Sequence, residues 1–407
     1  MKMDNTSRAP KEWRHIKLGD IARITAGGDV DREASSLFQS DQHQYPVYAN
    51  ALENAGIHSY SSAAKHPAGA VTITARGSLG HAKFRSTPFT AIGRLLVIWP
   101  NKNFDGRFLA EYLNSRVHFA IESTGVPQLT APQAGHYEIL LPPKREQRAI
   151  AEALSDADGV IEGLERLIAK KRRIKQGAMQ ELLTGKRRLP GFSGEWRRVA
   201  LGEVGRFVGG GTPSMAREDY WKNGTIPWVS SSDVRVGELH GAERLISTSA
   251  VKSSSTRVVD PGSILFVTRS GILRRFLPVM INTVPVAINQ DIKALLPKTS
   301  AYIPAYVFHA AAAAGDAILR DCMKTGTTVE SIDLAALRRF EIGCPSDQQE
   351  QIAISKALSE MEAEIRALET RLAKARAIKA GMMEALLTGR IRLAGPLSQE
   401  RATEAAE

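Results

Sequence analysis

The chain has 407 residues, 43% of them apolar and 24% charged, and its 54 Lys plus Arg against 43 Asp plus Glu give a formal charge of +11. This is the composition of folded domains, with length for two or more, and it excludes collagen-like and intrinsically disordered classes. Its two cysteines, Cys322 and Cys344, exclude a disulfide framework and a four-ligand cysteine zinc site, and the excess of positive charge favours a polyanionic partner.

Residues 1–20 are polar and charged, so no signal peptide is expected. No run approaches the roughly 18 apolar residues of a membrane span, and a cytoplasmic, reducing location is expected, with no membrane partner. The first recognisable block is Trp13-Arg14 followed by Leu18-Gly19-Asp20-Ile21. Apolar, β-branched runs at residues 70–74 and 95–99, bounded by Gly, Pro or Asn, predict strands, and a helix is expected over 108–122. Pro142-Pro143 then opens a long helix ending near Gly185. Pro190-Gly191-Phe192-Ser193-Gly194 reads as a linker. After it the order repeats. Trp196-Arg197 and Leu201-Gly202-Glu203-Val204 reopen the frame, Phe207-Val208-Gly209-Gly210-Gly211 predicts a glycine turn closing a strand, and residues 263–268 predict a further strand. A helix is expected over 304–322, and a second long helix runs from Pro345-Ser346 to Gly389.

The two long helices are copies. Shifted by 204 residues, 150–189 and 354–393 are identical at 20 of 40 positions, ending in Leu182-Leu183-Thr184-Gly185 and Leu386-Leu387-Thr388-Gly389. Ser123-Thr124-Gly125 and Lys324-Thr325-Gly326 form a weaker match ahead of them. Each helix carries a heptad seam: Ile150, Leu154, Ala157, Ile161, Leu164 and Ile168 in one, and Ile354, Leu358, Met361, Ile365, Leu368, Leu372 and Ala375 in the other. Stripes this narrow predict that two rods of roughly 60 Å pair antiparallel as a coiled coil around a pseudo-two-fold axis. The regions between, 28–123 and 211–324, show no gapless match beyond a similar order of elements. The expected fold class is α+β, with two globular domains joined by two long antiparallel coiled-coil helices.

Chemistry-bearing motifs are missing: the sequence has no phosphate-loop motif, no His-x-x-x-His or Cys-x-x-Cys pair and no Gly-x-Ser-x-Gly elbow. Asp291-Ile292-Lys293 lacks an acidic partner for nuclease chemistry. No catalysis by this chain, no metal site and no bound cofactor are expected. The inserts instead join basic residues to Gly and Ser at strand ends, in the stretches 74–83 and 268–275. Small residues let a backbone approach phosphate, Arg forks onto guanine, and Asn or Gln pairs bidentately with adenine. The candidate DNA-binding residues are Asn50, Arg76, Ser78, Lys83, Arg269, Ser270, Arg274, Arg275 and Gln290, with Asn54 and Asn289 as further amide candidates. The basic run Lys170-Lys171-Arg172-Arg173 with Lys175, then Lys186-Arg187-Arg188, and Lys374, Arg376, Lys379, Arg390 and Arg392 in the second helix, leave two readings open: phosphate contacts between the heads, or solvated rod surface.

The residues Leu141-Pro142-Pro143-Lys144-Arg145-Glu146-Gln147 before the first long helix, and Cys344-Pro345-Ser346-Asp347-Gln348-Gln349-Glu350-Gln351 before the second, complete a recognisable frame. With Tyr45-Pro46-Val47-Tyr48-Ala49-Asn50 and Ile226-Pro227-Trp228-Val229-Ser230 opening the inserts, the chain resembles the DNA specificity subunits of Type I restriction–modification systems over residues 12–393. The resemblance implies a non-catalytic subunit that binds a bipartite double-stranded DNA target. It further implies two methyltransferase subunits as partners, using S-adenosylmethionine, and ATP- and Mg-dependent restriction or translocase subunits in a full complex. On this reading the first target-recognition domain is 1–141, the first spacer helix with its linker 142–190, the second target-recognition domain 191–343, the second spacer helix 344–393, and a tail 394–407. The alternative class is a coiled-coil protein-interaction adaptor whose DNA affinity is sequence-blind.

Overall fold

The computed structural model describes residues 10–101, 103–119, 128–324 and 329–393. The 123–125 and 325–326 motifs, the end of the expected helix at Glu122 and the tail lie outside them. Two compact units emerge: residues 1–165 with 370–407, and residues 166–369.

Each unit is built on a two-stranded antiparallel ribbon joining the start of a frame to the approach to a long helix. In the first unit Arg14–Lys17 pairs with Glu138–Leu141, and in the second Trp196–Ala200 pairs with Glu341–Pro345. The helical turns Leu18–Ile21 and Leu201–Val204 follow at once and bury Leu18, Ile21, Leu201 and Val204. The repeated openings thus fold alike.

The insert of the first unit forms two four-stranded sheets. One runs Ala22–Ala26, Leu96–Pro100, Val71–Ile73, Ala82–Phe84, all antiparallel. The other runs Ser35–Ser36, Ile57–Ser61, Tyr45–Tyr48, Thr90–Ala91, with a parallel pairing between the last two strands. The second insert repeats the larger sheet. Gly205–Gly209, Ile292–Pro297, Ile264–Val267 and Val279–Asn282 stand in the same order, with Val236–Leu239 added as a parallel edge. Its smaller sheet again has one parallel pair, Ile226–Val229 with Val286–Ile288. The inserts therefore share the strand order of the larger sheet, which their side chains no longer report, because ladder hydrogen bonds use backbone groups whatever the residue. In the smaller sheet the parallel pair lies at the edge in the first insert and in the centre in the second. The glycine run ends its strand as expected: Gly210 lies against the Ile288 carbonyl, where a Cβ would clash at 1.9 Å.

The predicted strands appear as Val71–Ile73, Leu96–Pro100 and Ile264–Val267. The expected helix at 108–122 is Gly106–Arg116, begun by Asp105, whose carboxylate accepts from the amides of Arg107 and Phe108. The helix expected over 304–322 is two helices, Pro304–Ala313 and Gly315–Cys322, because Ala314 leaves helical geometry at ψ 5°.

The long helices span Lys144–Leu182 and Gln348–Leu386, 39 residues each. Each contributes its N-terminal part to one unit and its C-terminal part to the other. Within each unit they run antiparallel: Arg172 meets Glu369 while Lys175 meets Glu362, and Glu165 meets Arg376 while Asp158 meets Lys379. The seam residues Ile150, Leu154, Ile168, Ile354, Leu358, Ile365 and Leu368 are buried. Leu386 and Leu387, from the end of the second helix, join the core of the first unit, and Leu182 and Leu183 join that of the second.

Candidate nucleic-acid interface

Sheet register aligns the two heads residue by residue. Leu96 pairs with both Ala26 and Ile73 in the first head, as Lys293 pairs with both Gly209 and Phe266 in the second. Ile73 thus corresponds to Phe266, and three residues further on Arg76 corresponds to Arg269. A second set of bonds gives the same match. The Leu129 amide donates to the Ala75 carbonyl and the Ile332 amide to the Thr268 carbonyl, both at 2.8 Å. Arg76 forms an isolated bridge with Gln128, and Arg269 one with Ser331. Both arginine side chains are exposed, held at equivalent points by backbone on two sides.

Around Arg76 the backbone turns through Gly77 and Gly80, both at positive φ, and Ser78 is exposed between them. Asn50 fastens this turn. Its Oδ1 accepts from the Ala75 amide at 2.6 Å and its Nδ2 donates to the Arg76 carbonyl. Its amide thereby shapes the loop that carries Arg76. Lys83 stands exposed on the neighbouring strand, where burial first and then Arg85 push its pKa down while Glu162 opposes them.

In the second head Ser270 begins the turn Gly271–Arg274 by accepting from the Ile272 amide. Arg274 pairs with Glu330, which the contact holds below the usual carboxylate range. Arg275 is exposed, with no ion-pair partner among the described residues. Gln290 accepts from the Thr212 hydroxyl at 2.7 Å, and its carbonyl accepts from Lys293 at 2.9 Å. Asn289 is buried and bonded to Asp291, so it serves the fold.

Several of the long-helix cations pair with acids of the opposite helix. Lys171–Glu364 and Lys175–Glu362 close at 2.6 Å, Arg172–Glu369 at 2.5 Å, and Arg376–Glu165 and Lys379–Asp158 at 2.6 Å. Four of the five obey the 204-residue repeat. Lys171–Glu364 does not, since the corresponding positions hold Ala375 and Val160. Lys170, Arg173, Lys374 and Arg390 remain exposed.

A pair of frame locks escaped the sequence reading. Trp13 donates through Nε1 to Glu146 at 3.0 Å, and Arg392 donates to both Glu146 oxygens. In the second unit Trp196 and Arg188 hold Glu350 in the same way. The Gln beside each Glu matches too: Gln147 accepts from the Asp105 amide and donates to the Pro142 carbonyl, as Gln351 does with Ile303 and Pro345. The 204-residue shift carries Glu146, Gln147 and Arg188 onto Glu350, Gln351 and Arg392. That identity was visible, but no local pattern says which Glu meets which Arg.

A duplicated frame carrying two inserts that share the order of their larger sheet but not their sequence, each with an exposed arginine at the same backbone position, defines an α+β protein of duplicated design. Residues 10–172 and 193–376 match the Type I restriction modification DNA specificity domain, and the chain belongs to that family. It is 40% identical over 157 residues to the EcoR124I/EcoR124II specificity subunit of Escherichia coli, a stretch covering 39% of this chain and 38% of that protein. It is 28% identical over 160 residues to the MjaIX specificity subunit of Methanocaldococcus jannaschii, covering 39% of this chain and 36% of that protein. The matched stretches thus span under half of those relatives. In fold it is similar to the S subunit of a Type I restriction–modification system from M. genitalium, with a TM-score of 0.66 at 14% identity over 95% of this chain and 98% of that one.

Proposed function

We propose that this chain is the sequence-reading, non-catalytic subunit of a Type I DNA-modifying complex. Each head reads one half of a bipartite double-stranded DNA target, and the paired helices set the separation of the halves. The heads are the regions assigned from sequence to residues 1–141 and 191–343. The observation that carries the reading is the equivalence of Arg76 and Arg269 on frames that are copies and inserts that are not. One backbone position offers a guanine- or phosphate-binding group in both heads, while its surroundings differ enough to read different sequences. Family membership and the E. coli and M. jannaschii relatives support the same assignment.

Two near-identical frames suit two copies of one partner, here the methyltransferase subunits, which would bring S-adenosylmethionine. Restriction or translocase subunits with ATP and Mg would join the same assembly in the cytoplasm. No described helix is long and apolar enough to cross a membrane.

The test is single-molecule sequencing of methylated adenines in a host carrying this gene and its neighbouring methyltransferase. Two short motifs at fixed separation, lost on deletion of this chain, are the expected result. Methylation unchanged by the deletion would overturn the reading in favour of a protein-binding adaptor.

A further inference from the structure

Arg85 is only 6% exposed, yet it has no carboxylate partner among the described residues. Its Nε donates to the Thr72 hydroxyl at 2.9 Å and its Nη1 to the Ala55 carbonyl at 3.2 Å, and the guanidinium lies 3.5 Å over the Tyr48 ring. All three partners are neutral. An arginine does not escape burial by losing its proton, so a buried guanidinium without an anion is costly. Burial pushes its pKa down.

Beside it lies a cavity of about 300 Å³, whose polar lining is Thr72, Thr74, His81, Lys83, Arg85 and Asn114. No acid among the described residues lines it, and the exposed Lys83 and His81 stand at its edge. Asn114 is spent on the Ala82 backbone, leaving the cationic groups to face the space. The Ala55 carbonyl that holds Arg85 belongs to a left-handed run, Asn54, Ala55 and Gly56.

The second head shows that the fold does not need these charges. The register that matches Arg76 to Arg269 matches Thr72 to Leu265, Thr74 to Val267, Lys83 to Met280 and Arg85 to Asn282. Leu265, Val267 and Met280 are part of an apolar core there. One head fills this place with Leu265, Val267 and Met280 and puts the neutral, hydrogen-bonded Asn282 where Arg85 stands, and the other keeps two cations around a void.

We propose that the cavity beside Arg85 and Lys83 is an oxyanion site that takes a phosphate group, present in the first head alone. Cationic donors at two strand positions suit a tetrahedral oxyanion, with the Thr74 hydroxyl proton left to join them, since Thr72 donates to the Lys83 carbonyl and accepts from Arg85. The phosphate belongs either to a DNA backbone or to a free phosphate or nucleotide. The site is argued from the first head's own residues and stands apart from the sequence-reading role.

The experiment is calorimetric titration of the full chain with inorganic phosphate, against chloride at equal ionic strength. One phosphate per chain is expected, weakened at least tenfold in Lys83→Gln and in Arg85→Met. Circular dichroism checks that each variant is folded. Because Arg85→Met removes a buried group, the exposed Lys83→Gln keeps the test decisive if that variant unfolds. Absence of binding, or equal binding by wild type and Lys83→Gln, overturns the site. Where phosphate binds, its displacement by duplex DNA of any sequence assigns the source to the DNA backbone, and its retention assigns it to a free phosphate or nucleotide. A chain that binds no phosphate but still directs two-part methylation would refute this site and leave the proposed function standing.

Discussion

Arg392 donates from Nε and Nη2 to the two carboxylate oxygens of Glu146, at 2.6 and 2.8 Å, across 246 residues of chain. Glu146 is 5% exposed and also accepts from Trp13, and Arg392 reaches Glu12 as well. The end of the second frame copy therefore completes the beginning of the first, and its partners raise the pKa of Arg392 above the ordinary arginine value.

Removing one partner of this lock should cost more than removing both. Arg392→Leu leaves a buried carboxylate with the Trp13 indole N–H in place of a charged partner, at a cost of about 2–3 kcal/mol. The double variant Glu146→Leu/Arg392→Leu should recover part of that loss. Urea midpoints of the wild type, both single variants and the double variant check it. Strictly additive losses would show that the pair is not coupled.

The equivalence of Arg76 and Arg269 predicts separable effects. Arg76→Ala should relax one half of the recognised sequence and Arg269→Ala the other, each by about 1–3 kcal/mol on its own half-site. Binding to duplexes altered in one half at a time measures this. A uniform loss on all sequences, with a shallower salt dependence, would instead mark the residue as a phosphate contact.

His309 predicts a pH dependence. The ring is 2% exposed, with Nε2 3.1 Å from the Ser359 hydroxyl, and burial lowers its pKa to about 4, with Glu362 pulling up and Lys175 pushing down. The folded value lies below the ordinary 6.5, so the unfolded chain binds the proton more tightly. The neutral ring's contribution is complete above pH 6.5 and is lost as pH falls toward 4, by up to about 3 kcal/mol. Urea midpoints measured from pH 7.5 to 4.5 should fall more steeply for wild type than for His309→Gln. Parallel slopes would remove His309 as the cause.

Both thiols should be inert in the folded protein. Cys322 and Cys344 are buried, and burial raises the pKa of each, that of Cys344 to about 12. Thiolate is the reactive form, so alkylation at pH 8 should be slow until denaturant is added. Mass spectrometry after a timed pulse of iodoacetamide checks it, and rapid labelling of either residue in native buffer contradicts the packing.

Much of the frame was legible because it is local and repeated. A heptad stripe is readable within one helix, and Ile150, Leu154, Ile354 and Leu358 are buried where it places them. The exposed arginines were legible as Arg with Gly and Ser at strand ends, and Arg76 and Arg269 stand there. That the Asn50 amide holds the Ala75–Arg76 backbone is not legible, because the bond closes across 25 residues and no motif announces it. Arg85 drew no notice, since nothing in Lys83-Phe84-Arg85 distinguishes a buried arginine from a surface one.

The duplication, the two antiparallel helices and the contrast between shared frame and divergent inserts are written in the amino-acid order, because periodicity and repetition need no partner to be seen. Folding alone brings out that the inserts share the order of their larger sheet, that Arg76 answers to Arg269, that Arg392 returns to Glu146, and that helix cations meet acids across the seam. Those facts rest on backbone ladders indifferent to side-chain identity and on contacts between residues up to 246 apart, so they exist only once the chain has folded.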